Sequence, residues 1–220
     1  MKKAIVLTIA MVVCGVICAQ PAQSELITVR FTGEVENVDN VLAAHFAIGD
    51  TLTGTYTYDT SAIDTEPDRS DFGRYRYYQG PSGISLETGG FQFRTDPGNV
   101  DFLVEILNNY TGTEDSFYMN SYNNLPSDSF LGENILIGLG LHAFSGDPLS
   151  SDALPETAPV RDQWDSARFD ITSRELCAGV GGNITSFELV PEPSSILLIG
   201  VGALVVRLST VGRRRRKTIV

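Results

Sequence analysis

The sequence predicts an all-β protein, an antiparallel β-sandwich of the jelly-roll type, preceded by a signal helix and followed by a single transmembrane helix. Apolar and polar residues alternate with a period of two in the central region, and turn-forming residues separate its short apolar runs. Each terminus instead carries a continuous apolar run beside basic residues. We therefore divide the chain into residues 1–19, 20–189 and 190–220.

The first segment has the composition of a secretory signal peptide. Lys2 and Lys3 precede an apolar run over residues 4–17, and Ala19 is the small residue expected at the cut. As a helix this run would be about 21 Å long, shorter than the ~30 Å hydrocarbon core, which favours cleavage over a retained membrane helix. We expect export through the secretion translocon and a mature chain that starts near Gln20.

The middle segment is expected to form about nine short strands. Threonines at every second position of residues 51–57 alternate with Leu52, Gly54, Tyr56 and Tyr58, so one face is threonine and the other is core. No stretch here sustains a helical period, and many short strands in one domain are typical of sandwiches and jelly rolls. The predicted strands cover residues 27–35, 51–58, 84–87, 91–94, 102–107, 116–119, 135–144, 168–171 and 184–190.

The middle segment is strongly acidic. Residues 20–190 contain 8 arginines, no lysine and 26 Asp and Glu, a formal charge of −18. A nucleic-acid-binding protein needs a basic face that replaces phosphate counterions. The composition therefore excludes nucleic acid as a partner.

The middle segment offers few groups for catalysis. Cys177 is its only cysteine and His45 and His142 are its only histidines, and no metal-ligand spacing, phosphate-binding glycine loop or nucleophile elbow is present. We expect Cys177 to be buried or inert and the histidines to be core or edge residues. We predict no catalytic residue, no metal ligand and no cofactor.

An acidic loop over residues 59–71 has two interpretations. Clustered carboxylates usually remain solvated, but they could also bind calcium weakly outside the cell. The spaced acidic order of an EF-hand loop is absent, which favours the solvated interpretation. The acidic residues are Asp59, Asp64, Glu66, Asp68 and Asp71.

A tyrosine group follows this loop. Tyr75, Tyr77 and Tyr78 are interleaved with Arg74 and Arg76. Aromatic faces and planar guanidinium groups suit sugar rings, so these tyrosines are candidate carbohydrate-binding residues. Tyrosine and arginine are equally common in edge strands, and both interpretations stay open.

The third segment has the composition of a membrane-anchored tail. Pro191-Glu192-Pro193 keeps the backbone extended and accessible, because neither proline can continue a helix or a ladder. The apolar stretch over residues 194–212 would be about 28 Å long as a helix, enough to span a bilayer. The basic cluster that follows should stay cytoplasmic and act as the membrane stop signal: Arg213, Arg214, Arg215, Arg216 and Lys217.

This order of Pro-Glu-Pro, short membrane span and terminal arginine cluster resembles the PEP-CTERM sorting signal of exported bacterial proteins. Arg207, which interrupts the apolar run, departs from the pattern. The resemblance implies processing by exosortase, a membrane protease and transpeptidase, with Pro191, Glu192 and Pro193 as recognition residues. It also implies a precursor anchored in the inner membrane, and then a location at the cell surface or in the extracellular matrix.

The two terminal signals and the lack of catalytic motifs favour an exported, non-enzymatic surface or matrix protein associated with exopolysaccharide or a biofilm. Two alternatives remain at this stage. One is a carbohydrate-binding module. The other is a glycan-cleaving enzyme, which needs only two suitably spaced carboxylates.

Overall fold

The structure, a computed structural model, describes residues 26–126, 129–132, 134–145 and 147–191. These residues form eleven β-strands and three single 3₁₀ turns, at Asn40–Leu42, Ser129–Leu131 and Arg161–Gln163. The strands are Leu26–Val38 (β1), Thr51–Asp59 (β2), Phe72–Tyr77 (β3), Gly83–Thr88 (β4), Phe91–Thr95 (β5), Phe102–Leu107 (β6), Asp115–Ser121 (β7), Asn124–Pro126 (β8), Ile135–Ala143 (β9), Ser166–Ser173 (β10) and Ala178–Leu189 (β11).

All eleven strands belong to one sheet, in the order β3-β6-β7-β9-β10-β11-β1-β2-β4-β5-β8. Each neighbouring pair is antiparallel. The all-β, antiparallel part of the prediction is therefore confirmed. The arrangement as a two-sheet sandwich is not confirmed, since the strands form a single continuous sheet.

The sheet is curled so that its two halves face each other. Tyr56 on β2 and Phe117 on β7 are five strand positions apart, which is about 24 Å along a flat sheet at ~4.8 Å per strand. Their ring centroids are only 6.4 Å apart. The inward faces of the two halves therefore share one hydrophobic core.

The alternation in β2 produces its two faces. Leu52, Tyr56 and Tyr58 are fully buried, whereas the threonines between them face outward. Gly54 lies on the inward face where β2 crosses the ring of Phe31, and a β-carbon at residue 54 would overlap that ring. Burial of these large side chains is the main stabilising contribution of the strand.

A buried polar cluster joins the two halves where the sheet meets itself. The hydroxyls of Thr95 on β5 and Ser121 on β7 are 2.7 Å apart, and Ser121 donates to Oδ1 of Asn124 at 2.7 Å. The amide of Asn124 donates to the carbonyls of Ser121 and Ile135 at 2.7 and 2.8 Å. Every polar side chain in the cluster has a partner, as burial requires.

Two strands were not predicted, and a third begins earlier than predicted. β3 has arginines on its outward face and lies at one edge of the sheet, and β8 is only three residues long and lies at the other edge. β11 begins at Ala178 instead of residue 184, because Gly179, Gly181 and Gly182 hide its apolar alternation.

The predicted signal helix over residues 1–19 and the predicted transmembrane helix over residues 194–212 lie outside the described residues. Within the described ranges, no helix has both the length and the apolar character needed to cross a membrane.

Candidate functional site

The outward face of β9, β10 and β11 carries a groove. It forms because the residues opposite one another across these strands include several glycines. Asp170 on β10 is paired with Gly138 on β9 and with Gly181 on β11, and Arg168 on β10 is paired with Gly140 on β9. With no side chain at Gly138, the carboxylate of Asp170 lies over that residue, where a β-carbon would overlap it.

We call this feature the β10 groove. Its volume is about 310 Å³. Two rows of residues that pair across neighbouring strands cross the groove. The first row is Tyr118, Gly140 and Arg168, and the second, two residues along each strand, is Asn120, Gly138, Asp170 and Gly181. The lining residues are Tyr118, Asn120, Gly138, Leu139, Gly140, His142, Arg168, Phe169, Asp170 and Gly181.

Tyr118 and His142 form the aromatic wall of the groove. The Tyr118 ring lies over Gly140, where an alanine β-carbon would be 3.3 Å from its Cδ1 atom. The two rings make an edge contact with centroids 4.9 Å apart, and the Tyr118 hydroxyl is 3.3 Å from His142 Nδ1. Ser116 places its hydroxyl 3.1 Å from the same nitrogen. The wall is therefore held by both ring packing and hydrogen bonds.

The surroundings of His142 favour its neutral imidazole. Burial lowers the pKa of His142, and the carboxylate of Glu114 only partly opposes this effect. A neutral imidazole has one donor and one acceptor nitrogen.

Asp170 and Arg168 form the opposite wall. Within the described part of the chain, the hydrogen bond to the Asp170 carboxylate comes from the hydroxyl of Thr172 at 3.5 Å. Asp170 is exposed, but the neighbouring strands partly desolvate its carboxylate, which raises its pKa, and the Thr172 hydrogen bond partly offsets the rise. Arg168 lies 3.5 Å from Glu36 in an exposed ion pair, which holds the guanidinium only weakly.

The groove can therefore offer one aromatic ring and several donors and acceptors to a ligand. Among its described lining residues Asp170 is the only carboxylate.

The three predicted sugar-binding tyrosines do not share an exposed face, so that prediction needs correction. Tyr75 and Tyr77 point into the core and donate hydrogen bonds to the carbonyls of Asp152 and Asp59 at 3.0 and 2.9 Å. Tyr78 alone is exposed, at 67%. The cause is the period of two, which places residues 75 and 77 on one side of β3.

The outward face of β3 is instead occupied by ion pairs. Arg76 binds Asp101 through two hydrogen bonds of 2.8 Å, and Arg74 lies 3.4 Å from Glu105. The edge-strand interpretation of the tyrosine and arginine pattern is therefore the one that β3 follows.

The carboxylates of the acidic loop hold the loop itself. Oδ1 of Asp64 accepts the backbone N–H groups of Glu66 and Arg74, both at 2.9 Å. Asp59 accepts from Ser61, and Asp71 pairs with Arg69. Across the described residues, no group of three or more His, Cys, Asp or Glu side chains could hold a metal ion. Calcium binding at Asp59, Asp64, Glu66, Asp68 and Asp71 stays a prediction.

Cys177 and His45 are more accessible than predicted. Cys177 is exposed in the turn between β10 and β11, with a φ of 50°, because a two-strand turn at the sheet surface has no core to cover it. His45 is exposed as well, and its ring stacks on Phe130 at 4.0 Å between centroids.

Sequence reasoning missed the β10 groove. Its signal was present in Gly138 and Gly140, two glycines spaced two apart on predicted strand 135–144. Whether such glycines form a groove depends on which residues pair with them on the neighbouring strands, and the strand order was not predicted.

The predicted sorting motif begins where β11 ends. Leu189 is paired with Val29, and the N–H of Val190 donates to the carbonyl of Thr28 at 2.8 Å. Pro191 is exposed and leaves the sheet. Two of the three predicted recognition residues, Glu192 and Pro193, lie outside the described residues, as do Arg213, Arg214, Arg215, Arg216 and Lys217.

Comparison with protein families matches residues 189–217 to the PEP-CTERM protein-sorting motif. No curated protein and no solved structure matches the chain significantly. The matched residues contain the whole Pro-Glu-Pro motif, the predicted membrane span and the arginine cluster. The chain therefore carries a C-terminal PEP-CTERM sorting motif, which implies an exported protein that the membrane enzyme exosortase processes.

Proposed function

We propose that the protein is a non-enzymatic component of the cell surface or extracellular matrix. It is exported as an inner-membrane-anchored precursor, cut by exosortase, and passed to a layer of exopolysaccharide. The sorting motif at residues 189–217 is the observation that carries this proposal.

The end of β11 supports the accessibility that processing requires. The matched motif starts at Leu189, the last residue of β11, so no linker separates the folded sheet from the motif. Proline has no N–H group and cannot extend the ladder to β1, which directs the chain away from the sheet at Pro191. Exosortase would then reach the Pro-Glu-Pro residues of the motif, which begin at Pro191, without unfolding β11.

The composition of the β10 groove supports a non-enzymatic role. A single lining carboxylate, Asp170, disfavours the glycan-cleaving alternative. We also infer that the two facing halves of the curled sheet correspond to the layers of a jelly-roll-like sandwich, an architecture that serves as a rigid carrier for a binding surface.

The test is the intact mass of the protein recovered from outside the cell. It is measured in cells with and without exosortase, for the wild type and for a Pro191→Ala, Pro193→Ala variant. Pro97→Ala, in an exposed turn after β5, is the matched control. We expect a mature form that starts near Gln20 and ends near Val190 only when both exosortase and the two motif prolines are present.

Two results would contradict the proposal. A mass that retains the arginine cluster in every strain would make the tail a plain membrane anchor. A correctly cut protein that does not co-sediment with the exopolysaccharide isolated from the same culture would remove the matrix role while leaving sorting intact.

A further inference from the structure

We propose that the β10 groove is a binding site for a neutral polysaccharide, with a hexopyranose ring lying against Tyr118. The inference rests on the proposed function only for the source of the ligand, a polysaccharide layer outside the cell. The site itself is argued from the geometry of the groove.

The Tyr118 ring forms part of the floor of the groove. Tyr118 on β7 and Arg168 on β10 lie in one row across the sheet with Gly140 between them, so their backbones are about 10 Å apart at ~4.8 Å per strand. The Tyr118 ring lies over Gly140, and a side chain longer than glycine at residue 140 would push against it. The glycine therefore makes room for the tyrosine ring, which is partly exposed.

The walls present the two kinds of contact that a sugar needs. A pyranose has apolar C–H faces and a rim of hydroxyls. An aromatic ring packs against the C–H faces, and polar groups form hydrogen bonds with the hydroxyls. Tyr118 provides the ring. Nδ1 of His142 contacts the hydroxyls of Ser116 and Tyr118, so Nε2 is the nitrogen that His142 offers to a sugar hydroxyl.

Asp170 is an acceptor that has not found strong partners in the protein. The bond of 3.5 Å from Thr172 is at the limit of hydrogen-bond length. Asp170 is exposed on the outward face of β10, so its carboxylate is accessible to a ligand. Sugar hydroxyls would donate to this carboxylate in place of water.

Charge favours a neutral ligand over an acidic one. Residues 20–190 have a formal charge of −18, so an acidic polysaccharide would be repelled at a distance. Within the groove the charge of Arg168 is offset by Glu36 at 3.5 Å, which leaves Asp170 as the dominant local charge. A neutral polysaccharide is repelled neither by the net charge of the domain nor by Asp170.

The experiment measures binding of the full chain, purified in detergent from cells that lack exosortase, by affinity electrophoresis. The gels contain hydroxyethylcellulose, galactomannan, dextran or pullulan as neutral polysaccharides, and alginate as the acidic one. The variants are Tyr118→Ala, Asp170→Asn and Gly181→Val, and Tyr78→Ala is the matched control because Tyr78 is an exposed tyrosine outside the groove.

Gly181→Val adds bulk instead of removing a contact. The glycine lacks a positive φ, and a β-carbon there would meet only the carbonyl oxygen of Phe169, at 3.3 Å. Valine suits a strand, so we expect a folded protein whose groove is blocked. This variant keeps the test decisive if loss of the Tyr118 ring destabilises the sheet. The thermal midpoint of each variant is measured alongside.

We expect retardation by at least one neutral polysaccharide, an affinity lower by about tenfold in Tyr118→Ala and Asp170→Asn, and loss of retardation in folded Gly181→Val. Tyr78→Ala should bind like the wild type. Binding to none of the four neutral polymers, binding to alginate alone, or equal loss in Tyr78→Ala would overturn the proposal. Because exosortase is absent, these results are independent of the sorting test.

Discussion

Tyr56 and Tyr58 are stacked in the core with ring centroids 6.1 Å apart, but they differ in the environment of their hydroxyls. The Tyr58 hydroxyl donates to the carbonyl of Pro155 at 2.6 Å. The Tyr56 hydroxyl is buried and has no hydrogen-bond partner among the described residues. Tyr56 and Tyr58 therefore allow a buried hydroxyl without a partner to be compared with a buried hydroxyl that has one.

Tyr56→Phe should stabilise the protein, and Tyr58→Phe should destabilise it. Removing an unpaired buried hydroxyl relieves a desolvation cost, and the free energy of unfolding should rise by about 1 kcal/mol. Removing the Tyr58 hydroxyl leaves the Pro155 carbonyl without its donor, and the free energy should fall by about 1 kcal/mol. Denaturant unfolding of both variants measures the difference. A loss of stability in both would mean that Tyr56 has a partner.

The core tyrosines should make the sheet unfold in alkali. Burial raises the pKa of Tyr56 and of Tyr58 above the ordinary value of 10.0, and burial with Asp64 and Asp152 raises the pKa of Tyr75 to about 12. The folded state then prefers the neutral phenol, so stability is complete below about pH 10 and declines as pH rises above it. Each such tyrosine contributes a loss of up to about 1.4 kcal/mol per pH unit.

Tyrosinate absorbance and circular dichroism, recorded together against pH, test this expectation. Ionisation of the buried tyrosines should coincide with loss of the sheet signal. In Tyr58→Phe one ionisable group is removed, so the decline of stability with pH should be less steep. Ionisation of every tyrosine while the sheet remains intact would refute the burial argument.

The buried polar cluster should be essential for closing the curled sheet. Asn124→Ala removes two donors and one acceptor, which leaves the carbonyls of Ser121 and Ile135 and the hydroxyl of Ser121 without this partner. The free energy of unfolding should fall by about 3 kcal/mol. Asn123→Ala is the matched control, because its amide makes an exposed hydrogen bond to Asn99 at 3.1 Å and its loss should cost under about 1 kcal/mol. Equal effects in thermal unfolding would show that the cluster has no special role.

Cys177 should tolerate glycine better than valine. Its φ of 50° lies in the left-handed region, where a β-carbon is unfavourable by about 1 kcal/mol. Cys177→Gly should raise the free energy of unfolding, Cys177→Ser should leave it nearly unchanged, and Cys177→Val should lower it. The order of the three midpoints in urea is the measurement, and a valine variant as stable as the glycine variant would contradict the assigned turn geometry.

Local patterns predicted the strands that alternate clearly, and they failed where the pattern depends on a neighbour. The threonine and core faces of β2 follow from a period of two that belongs to the chain itself. The inward direction of Tyr75 and Tyr77 follows the same period of two, with arginines on the opposite face, but residues 72–77 were not predicted as a strand. An exposed sugar-binding group was therefore an acceptable hypothesis before β3 was known.

The sequence by itself determined the β class, the acidic character of the central region and the sorting signal at residues 189–217, because each depends on the order of residues along a short stretch of chain. Only the tertiary structure decided that the strands form one curled sheet and that Tyr118, His142, Arg168 and Asp170 line a common groove. These residues come from three strands, and their proximity depends on strand order and register, which are set by long-range pairing and by burial of one shared core.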